Sequence, residues 1–151
     1  MALSLKDLAI SSPDIAPLSR IPDEFTKDGG DRVPRITVTG IPEGTVELTV
    51  IVHDPDAPMP RGFTHWVMHA VAPAERVDVT PESGRPAPNS TGETGYVGPY
   101  PPAGHGEHHY YFWVYALRRP VEGAPSREQF LDEYADDIIE QARFVGTYSI
   151  P

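Results

Sequence analysis

Proline is the residue that most limits what this chain can become. Eighteen prolines and thirteen glycines are spread along 151 residues, and proline at about 12% is more than twice its usual share of ~5%. Each one fixes a backbone angle and removes an N–H donor, which ends helices and bars the middle of a sheet. An all-helical bundle is hard to write under that constraint, and many turns between short elements are expected. The length suits one domain spanning 1–151, able to bury roughly 68–70% of its unfolded surface, and no repeat or composition break divides it. With no cysteine, disulfides, zinc-thiolate sites and thiol nucleophiles are excluded. A net charge of −10 without any Lys/Arg block argues against nucleic acid as a partner. Met1 to Asp7 lacks the apolar run of a signal peptide, and no later stretch approaches the ~20 residues of a membrane span. A soluble, cytoplasmic protein without membrane insertion is the expectation.

Residues 5 to 34 read as an irregular lead-in, broken by Ile21-Pro22, Gly29-Gly30 and Val33-Pro34. Arg35 to Thr39 and Thr45 to His53 flank Ile41-Pro42-Glu43-Gly44 and read as a hairpin, with Val46, Leu48, Val50 and Val52 on one face. Thr64 to Val71 and His108 to Leu117 are further strands. The last is apolar on both sides, Tyr110, Phe112 and Val114 against Tyr111, Trp113 and Tyr115, so it is expected between layers. Ser126 and Gln129 have capping-box spacing. The four-residue recurrence of Phe130, Tyr134, Ile138 and Ala142 predicts an amphipathic helix, followed by a short strand over Phe144 to Ser149. Residues 72 to 107 read as one long ordered loop.

All six histidines fall between His53 and His109. Period-two alternation places His65 with His69 on one face, and His108 with Tyr110 on one face of the next strand. Asp54-Pro55-Asp56-Ala57-Pro58 follows an apolar strand, where the prolines hold two carboxylates at the strand end; a plain turn is the alternative reading.

Taken in order, Asp54 to Pro58, Phe63-Thr64-His65-Trp66-Val67, Gly98-Pro99-Tyr100-Pro101-Pro102-Ala103-Gly104 and His108 to Tyr115 resemble the phosphatidylethanolamine-binding protein family. The likeness is greatest to its short bacterial and archaeal, Raf-kinase-inhibitor-like branch. Ile21-Pro22 through Asp31, Ile41 to Gly44 and Val145 to Tyr148 extend it over roughly residues 20 to 150. The resemblance implies a mainly β fold, a large central sheet packed on a smaller antiparallel sheet with few short helices, and an anion pocket. Carried over by position, the pocket residues are Asp54, Asp56, His65, His108 and Tyr110, with Gly98 and Pro99 at its rim. His69, His105 and His109 match no pocket position and are assigned solvent or sheet roles. Phe63 stands where the family often has Trp, so the pocket wall differs there.

Imidazole and phenol groups donate to phosphate oxygens, and a carboxylate can hold a histidine in its donating form. The implied ligand is a phosphate-like or phosphoethanolamine-like small molecule, bound without a metal or other cofactor by a small binding protein with a regulatory use. A small-molecule lyase, isomerase or cyclase using the same groups is the enzymatic alternative, though no nucleophile elbow or phosphate loop supports it. Inhibition of a kinase or protease is a third, implied by eukaryotic relatives. A zinc site on His65 and His69 fails on geometry, since positions four apart on a strand are roughly 13 Å apart. The acidic run Asp132, Glu133, Asp136, Asp137 and Glu140 reads as a solvated helix face. Tyr111, Trp113 and Tyr115 read as packing, in the core or across a homodimer interface.

Overall fold

Antiparallel pairing sorts the strands into two sheets in the computed structural model, which describes residues 7–151. The opening segment read above for a signal sequence lies, up to residue 6, outside the described residues. In chain order the strands are β1 (Ala9–Ser11), β2 (Ile36–Thr39), β3 (Glu47–Asp54), β4 (Phe63–Val71), β5 (Arg76–Val79), β6 (Arg85–Ala87), β7 (His108–Leu117) and β8 (Ile138–Tyr148), with helix α1 at Arg127–Tyr134. The small sheet runs β1-β2-β5 and the large one β6-β4-β3-β7-β8. Alternating β-branched residues supply the buried layer between them. Ile10, Ile36, Val38, Val77 and Val79 of the small sheet meet Leu48, Val50, Val52, Trp66, Met68, Tyr110, Phe112 and Val114 of the large one. On the other face of the large sheet, Ile51, Val67, Tyr115 and Leu117 pack under Phe130 and Tyr134 of α1. The mainly β, two-sheet architecture with a short helix is the one expected.

The expected hairpin of residues 35 to 53 does not form. β2 is paired on both edges by β1 and β5, and β3 by β4 and β7. The turn itself is real, with Thr45 donating through N–H and Oγ to the Pro42 carbonyl, but it carries the chain from one sheet to the other. Alternation marks a strand without choosing its partner.

Ser126 caps α1 with the expected reciprocal bonds to Gln129. The helix nevertheless ends at Tyr134, and Ile138 and Ala142 belong to β8, which pairs along β7 from Leu117 opposite Ile138 to His108 opposite Tyr148. A spacing of four keeps one face in a helix and in a strand alike, so a free edge of β7 decided the matter. Glu140 is correspondingly a buried strand residue accepting from the Leu8 N–H, whereas Asp132, Glu133 and Asp136 are exposed as read. The long loop of 72 to 107 contains β5 and β6, and the lead-in contains β1 and a 3-10 turn at Asp23–Phe25. Strand β7 is fully covered on the Tyr110 face. On the other face Tyr111 and Trp113 are half-buried; Trp113 stacks on Tyr111 at 6.2 Å and on Tyr115 at 5.8 Å, with the Arg143 guanidinium over Tyr111 and Trp113.

Candidate functional site

A β-bulge aims the first site residue. Along β3 and β4, Val52 lies opposite Trp66 and His53 opposite Thr64, so His65 is the extra residue. An inserted residue shifts the alternation by one and re-aims a side chain. His65 therefore turns to the face of Tyr110, their ring centroids 5.3 Å apart. His69 stays on the opposite face against Phe130, between Thr49 Oγ1 and the Pro125 carbonyl. The expectation that His65 and His69 share a face is corrected by this one residue.

His108 and Tyr110 stand on the same face of β7, as alternation requires, with centroids 6.4 Å apart. Across from them β3 ends in Asp54, whose Oδ2 accepts from His108 Nδ1–H at 2.6 Å and whose Oδ1 accepts from the Asp56 N–H at 2.7 Å. Both partners are almost wholly buried, Asp54 at 2% and His108 at 1% exposure. Burial raises the Asp54 pKa above the ordinary carboxylate value, and the bonds from His108 and Asp56 only partly offset it.

Asp54, His65, His108 and Tyr110 line one cavity of about 200 Å³, closed otherwise by Ala57, Pro58, Met59, Phe63, Tyr100, Pro101 and Pro102. Most of that wall is apolar, so its few polar atoms are poorly solvated and their hydrogen bonds count for more than in water. His65 Nδ1 lies 2.7 Å from the Val97 carbonyl. Burial lowers its pKa to about 4, so the ring is neutral. The Tyr110 hydroxyl is pushed upward by burial and by the Asp54 and Asp56 charges, so it stays a protonated donor.

Three expected site residues do not line the cavity. Asp56 turns outward, where Oδ2 accepts from the His109 N–H and Nδ1–H at 2.8 and 2.7 Å. Burial alone would raise its pKa, but the His109 bonds outweigh that and hold it low. Gly98 and Pro99 anchor the strap that forms the wall: the Gly98 N–H donates to Asp31 Oδ1, and the Pro99 carbonyl accepts from the Lys27 N–H. A Cβ on Gly98 would stand 2.2 Å from the Phe25 carbonyl oxygen, so only glycine fits that seat. The strap then presents Tyr100, Pro101 and Pro102 inward.

Other groups lie beside the cavity without having been assigned to it. His105, given a solvent or sheet role, lies on His108 with Nδ1 2.6 Å from Nε2. Lys27 places its ammonium 4.5 Å from the Tyr100 ring centroid, at the edge of the wall. No local pattern marks Lys27, because the strap brings it there from 73 positions away. His53 is buried on the far face and bonded to Thr64 Oγ1, not to the Asp corner. No group of three or more His, Asp or Glu among the described residues is arranged to hold a metal ion.

The phosphatidylethanolamine-binding protein model matches residues 11–149. A Mycobacterium tuberculosis protein named "Putative lipoprotein LppC" is 37% identical over 152 residues, covering 97% of this chain and 75% of its own length. A UPF0098 protein of Pyrococcus abyssi is 37% identical over 139 residues, with 85% and 78% covered. Among solved structures, the Chlamydia trachomatis phosphatidylethanolamine-binding protein homologue CT736 superposes with a TM-score of 0.86 at 27% identity, over 95% of this chain and 98% of that one. No helix among the described residues is long and apolar enough to cross a membrane. With its two-sheet fold and this match over nearly the whole chain, the protein belongs to the phosphatidylethanolamine-binding protein family.

Proposed function

We propose that the cavity binds a phosphate-bearing or zwitterionic small molecule, and that the protein is a binding protein with a regulatory use of that ligand. One observation carries the reading: the buried Asp54–His108 pair and the Tyr110 hydroxyl converge on a cavity of about 200 Å³ whose walls are otherwise mostly apolar. Polar groups are costly to hold in such a place unless a ligand uses them. The volume suits a head group or a small phosphate ester and is too small for an acyl chain of lipid length. Lys27 at the edge adds the positive charge that draws an anion toward an otherwise acidic protein.

Titration with inorganic phosphate and phosphoethanolamine, followed on the imidazole resonances, tests this. His65 and His108 should move, and His108→Ala should abolish binding while the domain stays folded. Unmoved resonances, or wild-type affinity in that variant, would defeat the assignment. A cytoplasmic location is part of the same proposal. The mycobacterial relative carries a lipoprotein's name, and cell fractionation decides between the two locations.

A further inference from the structure

We propose that the pocket selects oxyanions that carry a proton, with His65 Nε2 accepting it, so that phosphate monoesters are preferred over sulfate esters and phosphodiesters. The inference rests on the anion-binding reading above and adds a chemical class to it.

The Val97 carbonyl sets which nitrogen of His65 carries the proton. A carbonyl can only accept, so the nitrogen 2.7 Å from it, His65 Nδ1, must carry the ring's proton. A neutral imidazole then has its lone pair on Nε2. No residue donates a hydrogen bond to that atom among the described residues, the Gly98 backbone beside the ring being, like Val97, an acceptor, and the ring lines the cavity. His65 is only 3% exposed, a setting that opposes charging the ring.

None of the ionisable groups around it is bonded to that atom among the described residues. Tyr110 and His108 face it from β7, Asp54 from the end of β3 and Tyr100 from the strap. His53 lies on the other side of the sheet and Lys27 beyond Tyr100. The Tyr110 hydroxyl is likewise without a partner among the described residues and only 1% exposed, so it can donate to the same ligand. His65 and Tyr110 therefore offer one acceptor and one donor, on rings 5.3 Å apart between centroids, close enough for a single oxyanion to meet both.

An oxyanion without a proton presents only lone pairs to His65 Nε2. Leaving that buried acceptor unmatched lowers affinity by about tenfold or more. A P–OH group supplies the missing donor while the remaining oxygens accept from Tyr110 and His108. A phosphodiester head group has no P–OH. Its ammonium would have to reach His65 instead, two carbons and an ester oxygen away from the phosphorus.

Calorimetric titration at about pH 5.5, below the second phosphate pKa of about 6, separates these cases. Methyl phosphate and methyl sulfate then have the same charge and nearly the same size and differ by one proton. Glycerophosphoethanolamine is the third probe, representing an intact lipid head group. Methyl phosphate should bind at least about tenfold tighter than either of the others. Nitrogen NMR should show His65 protonated on Nδ1 only, with Nε2 shifting on addition of methyl phosphate. His65→Phe, similar in shape, should bind methyl phosphate and methyl sulfate alike. A smaller preference in the wild type, or a doubly protonated His65 in the complex, overturns the proposal. Equal binding by glycerophosphoethanolamine overturns it in favour of an ammonium donor. Equal binding by all three removes the selectivity alone, whereas binding by none removes the anion-binding reading as well.

Discussion

His105 lies against His108 with ring centroids 4.9 Å apart and Nδ1 2.6 Å from Nε2. The one His108 nitrogen that Asp54 does not hold is therefore already engaged from the solvent side. An anion that is to accept from His108 Nε2–H must displace His105, an exposed residue of the strap. Removing the competitor spares a hydrogen bond of about 1 kcal/mol net, so His105→Ala should tighten phosphate binding about fivefold. Calorimetry checks the affinity, and thermal unfolding should be unchanged. Weaker binding would mean that His105 assists the ligand.

The two carboxylates of the Asp corner should separate cleanly. Asp54→Asn replaces a buried, charge-assisted bond to His108 and should weaken phosphate binding by roughly tenfold or more. Asp56→Asn disturbs only the surface pair with His109, and such pairs contribute about 0–1 kcal/mol. Phosphate affinity in that variant should stay within about twofold of wild type. Equal losses in the two variants would place Asp56 in the pocket after all.

Stability should fall on mild acidification. His53 and His65 are held by burial at pKa values of about 4, below the ordinary 6.5, so the unfolded chain takes up protons that the native state refuses. A group with a depressed histidine pKa gives stability that is present above about pH 6.5 and lost progressively toward pH 4. The slope is about 1.4 kcal/mol per pH unit for each such group within that window. His69, lowered by burial in the same direction, adds to it. Asp54, with its raised pKa, opposes the trend, being relieved by protonation as pH falls. Urea midpoints between about pH 7 and pH 5 should therefore decline, and His53→Gln should flatten the decline.

Gly98→Ala should be destabilising although its backbone angles suit any residue. The new methyl would meet the Phe25 carbonyl oxygen at 2.2 Å, and overpacking of this kind costs about 1–3 kcal/mol. For a chain of this size that lowers the melting temperature by roughly 2–4 °C per kcal/mol. The displaced strap should also shift Tyr100 and weaken phosphate binding. A calorimetric scan and a phosphate titration of the same sample read both effects.

Much of the site could be read along the chain because it rests on local rules. His108 and Tyr110 share a face by simple alternation, and Asp54 ends an apolar strand where Pro55 stops further pairing. Ser126 and Gln129 announced their helix because capping is completed within four residues. Where pairing partners had to be chosen, the same patterns were silent. β2 and β3 looked like a hairpin although each had other neighbours, and Ile138 joined β8 because β7 offered it an edge.

The histidines divide along that line. Composition and spacing by themselves determined a proline-broken chain of several strands with imidazoles crowded near an acidic strand end, and the mainly β fold class came from the family resemblance. Only the tertiary structure decided which of them point into the cavity. One inserted residue in β4 turned His65 toward Tyr110 and left His69 behind the sheet, since a shift of one position in a period-two element exchanges its faces. The strap from Gly98 to His105 brought Tyr100 inward and laid His105 on His108. Such contacts depend on how a loop packs against distant turns, and no local periodicity records them.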